Sequence, residues 1–452
     1  MVDRRGFLIE GAASLGSVTT MGMLRTAGRN PAAEPTALAS DVGRGSAPRA
    51  SGPAEWRKEF PTLDQRVNGL PLVYLDTAAT AMRPREVIEA VADFYRYDNA
   101  NPGGTLHTLA RRANDRFTEA RRTVAQFIGA TDPLEVVFTR GTTEAVNLAA
   151  ASWGGANLKP GDTVLIGKGE HSSNMLPWQA IARRMGATVM YFDVLGDGHV
   201  DLEDYERHLG VRPKIVAFSH VSNVLGIINP AKEMVERAHR TGAIVLVDAA
   251  QSMPHITVSV RELGCDFLAF SGHKICGPMG SGALWARREL LDAMPPYQSG
   301  SNMAHDVDLA SYHPSDGALK FGAGTPSVAD AVGLAAAAGF LARVGREAVR
   351  EHERQITTRM LARLARVRGL TLLGGADANT RIALFSFTIA GREPADVLAA
   401  LDARGIAVRA GDLASLPLLK QFGVTSAVRA SCYLYTTLAE VDAFADALEG
   451  RA

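Results

Sequence analysis

This chain has no net charge: 48 Lys and Arg residues are matched by 48 Asp and Glu. No basic field is available to gather nucleic acid or an anionic membrane, so small molecules are the expected partners. Cysteine is scarce too. Cys265, Cys276 and Cys432 are too few for a disulfide framework and too dispersed for a metal cluster, and their odd number leaves at least one thiol free. No metal site is expected. A fixed-period repeat is absent, and no apolar run is long and uninterrupted enough to make a stable membrane span. What remains is a 452-residue chain with 46% hydrophobic and 21% charged residues, the balance of a soluble enzyme with one large and one smaller domain.

The first residues read apart from the rest. Arg4 and Arg5 precede a mildly apolar, Gly/Ala/Ser/Thr-rich stretch from Ile9 to Leu24, and Ala37-Leu38-Ala39 offers small residues for cleavage before Ser40. Residues 1–39 thus resemble a twin-arginine export signal; the alternative is a disordered leader with incidental arginines. Export to the periplasm or cell envelope is expected, and a cytoplasmic location if the leader does not function. Residues 40–55, rich in Gly, Ala, Ser and Pro, read as a flexible linker.

Beyond the linker, short apolar runs alternate with amphipathic stretches. This is the α/β pattern of a mainly parallel sheet covered by helices on both faces. Strands are expected at 135–139, 163–166, 188–192, 215–219, 244–247, 267–270 and 283–286. The tail is helical from Ser327 and then gives strands at 383–389, 406–409 and 429–435. The pattern implies a large domain over 56–326 and a small C-terminal α+β domain over 327–452.

In open α/β sheets ligands bind outside the carboxyl ends of the strands, so the polar residues directly after each apolar run are the candidates for chemistry. Gly141-Thr142-Thr143 at a helix start offers free N–H groups and two hydroxyls to a phosphate, although the same sequence is an ordinary helix cap. Asp248 ends a run that reads as a buried strand, where a carboxylate needs a partner; a protonated pyridine nitrogen is one, and capping the next turn is the other reading. Ser271-Gly272-His273-Lys274 brings a lysine, the residue that forms imines with aldehyde cofactors when partly desolvated. His171 and Asn223 come after two further runs, and each alone is usually a satisfied structural residue. Five polar clusters at successive strand ends are harder to dismiss.

The blocks GTTEAVNL (141–148), EHSSNMLPW (170–178), HVSNVLG (220–226), VDAAQS (247–252), FSGHKICGP (270–278), GAGTPS (322–327) and VRAS (428–431) resemble the class V aminotransferase-like enzymes. The cysteine desulfurase and selenocysteine lyase branch is the nearest in look. The resemblance runs from about Trp56 to near the C-terminus. It implies fold type I and pyridoxal 5'-phosphate, with Lys274 as the Schiff-base residue and proton shuttle at Cα and His171 stacked on the ring. Asp248 would pair with the ring nitrogen, and Gln251 and Asn223 would lie near the phenolic oxygen. Thr142, Thr143, Ser271 and His273 would hold the phosphate, with Thr325 reaching in from a second subunit of a homodimer. Arg429 would take the substrate carboxylate.

Two departures stand out. The branch carries a sulfur-accepting cysteine on a loop shortly after an Arg-Thr-Gly or Arg-Ala-Gly turn. Here Arg409-Ala410-Gly411-Asp412-Leu413-Ala414-Ser415 has Ala414 at that place. Ser415 cannot store transferable sulfur, Cys432 is expected to face away from Arg429, and Cys276 is left as a remote candidate. In Asn101–His107 the family's arginine is missing, although His107 remains. The expectation is an enzyme acting at Cα/Cβ of an L-amino acid or a derivative of one, through C–S lysis, transamination or related chemistry. Cysteine desulfuration is the alternative, and a non-catalytic binding protein a further one.

Overall fold

The structure, a computed structural model, describes residues 52–103 and 107–451. The leader with its paired arginines, and the linker up to Ser51, lie outside the described residues. Seven strands form the central sheet: β1 (Val136–Thr139), β2 (Thr163–Gly167), β3 (Thr188–Phe192), β4 (Ile215–Ser219), β5 (Ile244–Asp248), β6 (Phe267–Ser271) and β7 (Gly282–Ala286). Their spatial order is β1-β7-β6-β5-β4-β2-β3. Neighbours from β6 through β3 run parallel, while β7 runs antiparallel to both β6 and β1. Two antiparallel steps restore direction, so the carboxyl end of β1 lies at the same sheet edge as those of β2 to β6.

Apolar runs without alternation form this sheet because both faces are covered. Along β4 the side chains divide between two cores: Val216 and Phe218 enter one, Ile215 and Ala217 the other. Val245 and Leu246 divide in the same way on β5. Order reverses where β2 meets β4, since the chain leaves β2 for β3 on one side and returns to β4 on the other. Such a switch point opens a crevice for a ligand.

A second, four-stranded antiparallel sheet carries the smaller lobe: β8 (Leu370–Leu372), β9 (Leu384–Ile389), β10 (Arg409–Gly411) and β11 (Ala427–Ser431), in the order β8-β9-β11-β10. It has its own core of Phe385, Phe387, Val428 and Phe444. Helix Val328–Val344 comes directly after Ser327 and packs on helices Arg85–Asp93 and Thr108–Phe127, with Leu334 and Leu341 in a core of the large lobe. Among the described residues no single helix is long and apolar enough to cross a membrane.

Two expected strands differ from those observed. The run 406–409 splits: Ile406–Ala407 pairs with Val73–Tyr74, and Arg409–Gly411 joins the small sheet. The run 429–435 stops at Ser431, because Tyr433 and Tyr435 turn into the large-lobe core, where the Tyr433 hydroxyl donates to the Pro254 carbonyl at 3.1 Å.

Gly282 fixes how closely β7 approaches the turn after β1. A Cβ at that position would lie 2.5 Å from the Phe270 carbonyl oxygen and 2.6 Å from the Gly141 Cα, both backbone atoms. Gly282→Ala is therefore expected to destabilise the fold by roughly 1–3 kcal/mol and to displace Gly141. Chemical denaturation measures the first effect, and hydrogen exchange at the Gly141 turn measures the second.

Candidate active site

A cavity of about 440 Å³ opens at the carboxyl ends of β1, β2, β4, β5 and β6 and is closed from the other side by the small lobe. Thr142, Thr143, His171, Asn223, Asp248, Gln251, Ser271, His273, Lys274 and Arg429, ten of the eleven residues singled out in the sequence, line it. Thr325 does not: it is exposed, and its hydroxyl lies 3.4 Å from Asn101 Nδ2.

At one end the hydroxyls gather. The Thr142 N–H donates to Ser271 Oγ at 2.8 Å, the Thr142 and Ser271 hydroxyls are 2.8 Å apart, and the Thr143 hydroxyl is 2.8 Å from that of Ser173. This is the turn opening helix Thr142–Leu148, and its N–H groups favour an anion.

Deeper in, Asp248 ends β5 and Lys274 stands in the turn after β6. Burial raises the Asp248 carboxyl above the usual range, opposed by the Ala250 N–H, which donates to Oδ1 at 2.8 Å, and by the Lys274 charge. The same burial holds the Lys274 amine down to about 8, against the pull of Asp248. Among the described residues Lys274 has no hydrogen-bond or ion-pair partner. Such an amine is available as a nucleophile near neutral pH.

Burial, helped by Lys274 and Arg429, pushes His171 down to about 4, and His273 falls to about 4 mainly by burial. His171 Nδ1 accepts from the Ser173 N–H at 3.1 Å as the cap of helix Ser172–Met185. Its ring is therefore neutral, with the proton on Nε2.

Arg429, on β11, is almost fully buried. Its Nη1 donates to the Asn223 carbonyl at 2.9 Å, and Nη2 is 3.6 Å from Asp76 Oδ1. Asp76 also pairs with Arg409, at 2.8 Å through Oδ2. Sequence reading missed Asp76 and Arg409. The signal was present: Asp76 directly follows the apolar run Leu72–Leu75, the same strand-end rule that picked Asp248.

Asn223 faces the small lobe. Its Nδ2 donates to the Leu413 carbonyl at 2.9 Å, and its Oδ1 accepts from the Ser415 hydroxyl at 3.1 Å. The Ala414 carbonyl accepts from both the N–H and the hydroxyl of Ser172, each at 2.8 Å. Leu413 and Ala414 sit at φ values of +53° and +54°. That geometry costs about 1–2 kcal/mol per residue, and four hydrogen bonds worth about 1 kcal/mol each offset it. The loop is thus held with Ala414 in the cavity wall.

The cysteines stand apart. None lines the cavity, all three are buried, and burial pushes the Cys276 thiol up to about 12. Cys432 lies in the small-lobe core. His107 caps helix Thr108–Phe127 through Nδ1, while Gly104 to Leu106 are outside the described residues.

Residues 73–444 match the family model described as aminotransferase class-V. A protein of Halalkalibacterium halodurans named "Probable cysteine desulfurase" is 48% identical over 87% of this chain and 97% of its own length. A cysteine desulfurase of Synechococcus elongatus is 44% identical over 87% of this chain, which spans 62% of that longer protein. The apo structure of a cysteine desulfurase from Thermococcus onnurineus superposes with a TM-score of 0.82 at 36% identity, covering 86% of this chain and 98% of the other.

Because the Lys274 amine loses its proton near pH 8 and reacts only when neutral, imine formation between cofactor-free protein and pyridoxal phosphate should accelerate with rising pH. Stopped-flow absorbance is expected to give a midpoint near 8, well below the ordinary lysine value of about 10.4, and Lys274→Ala should abolish the band.

Proposed function

Since the chain belongs to the aminotransferase class-V family of pyridoxal-phosphate enzymes, we propose that it breaks the Cβ–S bond of cysteine or an S-substituted cysteine. The names of its relatives support desulfuration, the alternative reading of the sequence, over transamination. The cavity fits the cofactor on its own chemistry: Gln251 Oε1 and Arg429 Nε are buried without partners among the described residues, and the Lys274 amine and Asp248 carboxyl face a shared space.

When bound, pyridoxal phosphate supplies an electron sink that makes the Cα proton removable. Lys274 holds the cofactor and moves that proton. Asp248 would serve the ring nitrogen, and neutral His171 would offer an aromatic face without adding a cation. Thr142, Thr143, Ser271 and His273 would hold the phosphate, Gln251 and Asn223 would serve the phenolic oxygen, and Arg429, itself positioned by Asp76, would orient the substrate carboxylate. Thr325, outside its own cavity, suits a homodimer in which each subunit completes the other's site. Export through the leader at Arg4 and Arg5 belongs to the same proposal.

Ala414 carries the reading of the sulfur step. With no thiol there to attack Sγ, the Cβ–S electron pair leaves with sulfur once Lys274 has taken the Cα proton. Water then hydrolyses the released unsaturated amine, so that cysteine and water give pyruvate, ammonium and sulfide. An external thiol attacking Sγ is the route that would leave alanine instead.

The expected result with L-cysteine is pyruvate and sulfide in equal amounts, with alanine a minor product. Ala414→Cys should raise the alanine share several-fold and leave a sulfur-loaded loop detectable by mass spectrometry. Alanine as the main product of the wild type would show transfer to an external acceptor, and no sulfur product from any cysteine derivative would remove the proposal.

A further inference from the structure

The cavity contains a carboxylate that Cβ–S cleavage leaves unused. Asp412, the residue after β10, is exposed at the rim and still contributes to the cavity lining. Its Oδ1 accepts the Ala414 N–H at 3.0 Å, and its carbonyl accepts the Ser415 N–H at 3.0 Å, which ties the side chain to the loop that lines the cavity. Among the described residues Asp412 has no ion-pair partner. Its neighbour Arg409 is turned to Asp76, and Arg429 is held by Asp76 and Asn223. Its charge nevertheless reaches inward, since it acts on the ring of His171.

The cavity is therefore polarised along its length. Arg429 supplies positive charge at depth, where the α-carboxylate belongs. A fixed negative charge waits at the mouth, where the far end of a substrate side chain emerges. Beside it, Ala414 leaves space where a larger residue would narrow the passage.

We propose that Asp412 is a specificity-determining residue that selects L-amino acids whose side chain ends in an ammonium group. This rests on the Cβ–S cleavage reading for turnover, but not for binding. A substrate of this class carries its sulfur at Cβ and a cation two or three bonds beyond it, passing Ala414 to meet the free Asp412 oxygen. L-cysteine itself ends at sulfur and cannot reach that charge.

The test compares isosteric pairs on the holoenzyme. S-(2-aminoethyl)-L-cysteine and S-propyl-L-cysteine differ only in a terminal ammonium against a methyl, as do L-lysine and L-2-aminoheptanoic acid, which cannot be cleaved. The wild type should favour each ammonium member by about tenfold, in KM for the first pair and in Kd by absorbance titration for the second. In Asp412→Asn, which keeps an oxygen to accept the Ala414 N–H, both ratios should fall to about one. In Asp412→Lys, S-(2-carboxyethyl)-L-cysteine should become the better ligand. Ratios near one in the wild type, or an Asn variant that weakens both members equally, would overturn the inference. If lysine is preferred in binding but no S-substituted cysteine is cleaved, the selectivity stands and the C–S cleavage reading fails.

Discussion

The site depends on two buried groups whose charges act on one another, Asp248 at the end of β5 and Lys274 just beyond β6. Isolating either charge in such surroundings would cost several kcal/mol, and each lowers the other's cost. Neighbouring parallel strands bring the two together, and the turn after β6 delivers the lysine with its amine left open to a ligand. The result is an amine kept reactive by burial and a carboxyl that burial raises while the Lys274 charge pulls it back down. The hydroxyl cradle, the neutral imidazole and the deep arginine are arranged around that pair.

Much of this was legible in the sequence, because one rule governs parallel sheets: the polar residue just past an apolar run faces the ligand. The rule picked out Thr142, His171, Asn223, Asp248 and Lys274 from local order, and the structure brings all five to one cavity. It failed where a long-range packing choice decided the outcome. Tyr433 and Tyr435 have strand propensity, yet the chain leaves the sheet at Ser431 because two large rings gain more by entering the other lobe. Asp76 was overlooked because its strand, Val73–Tyr74, has only two residues and belongs to the small lobe through Ile406–Ala407. The strand-end rule makes Asp76 a candidate, but it does not pair that residue with Arg409 and Arg429, which lie far along the chain.

The roles of Asn223 and Thr325 show the same limit from the other side. Family resemblance gives Asn223 a cofactor contact, while the geometry also makes it the clasp between lobes, holding Leu413, Ser415 and Arg429 through three different atoms. Thr325 lies outside the cavity of its own chain, and no single-chain argument draws it in.

The fastening of the Gly411–Ser415 loop has a broader consequence. Every bond that pins residue 414 is made to its backbone, the carbonyl to Ser172 and the N–H to Asp412, so the side chain bears no part of the loop's stability. Position 414 behaves as a socket, and its occupant can change without loosening the frame. A lineage carrying this frame can lose or regain a sulfur-accepting group by a change at one position at little cost in folding, so the chemistry there is free to evolve faster than the architecture that presents it.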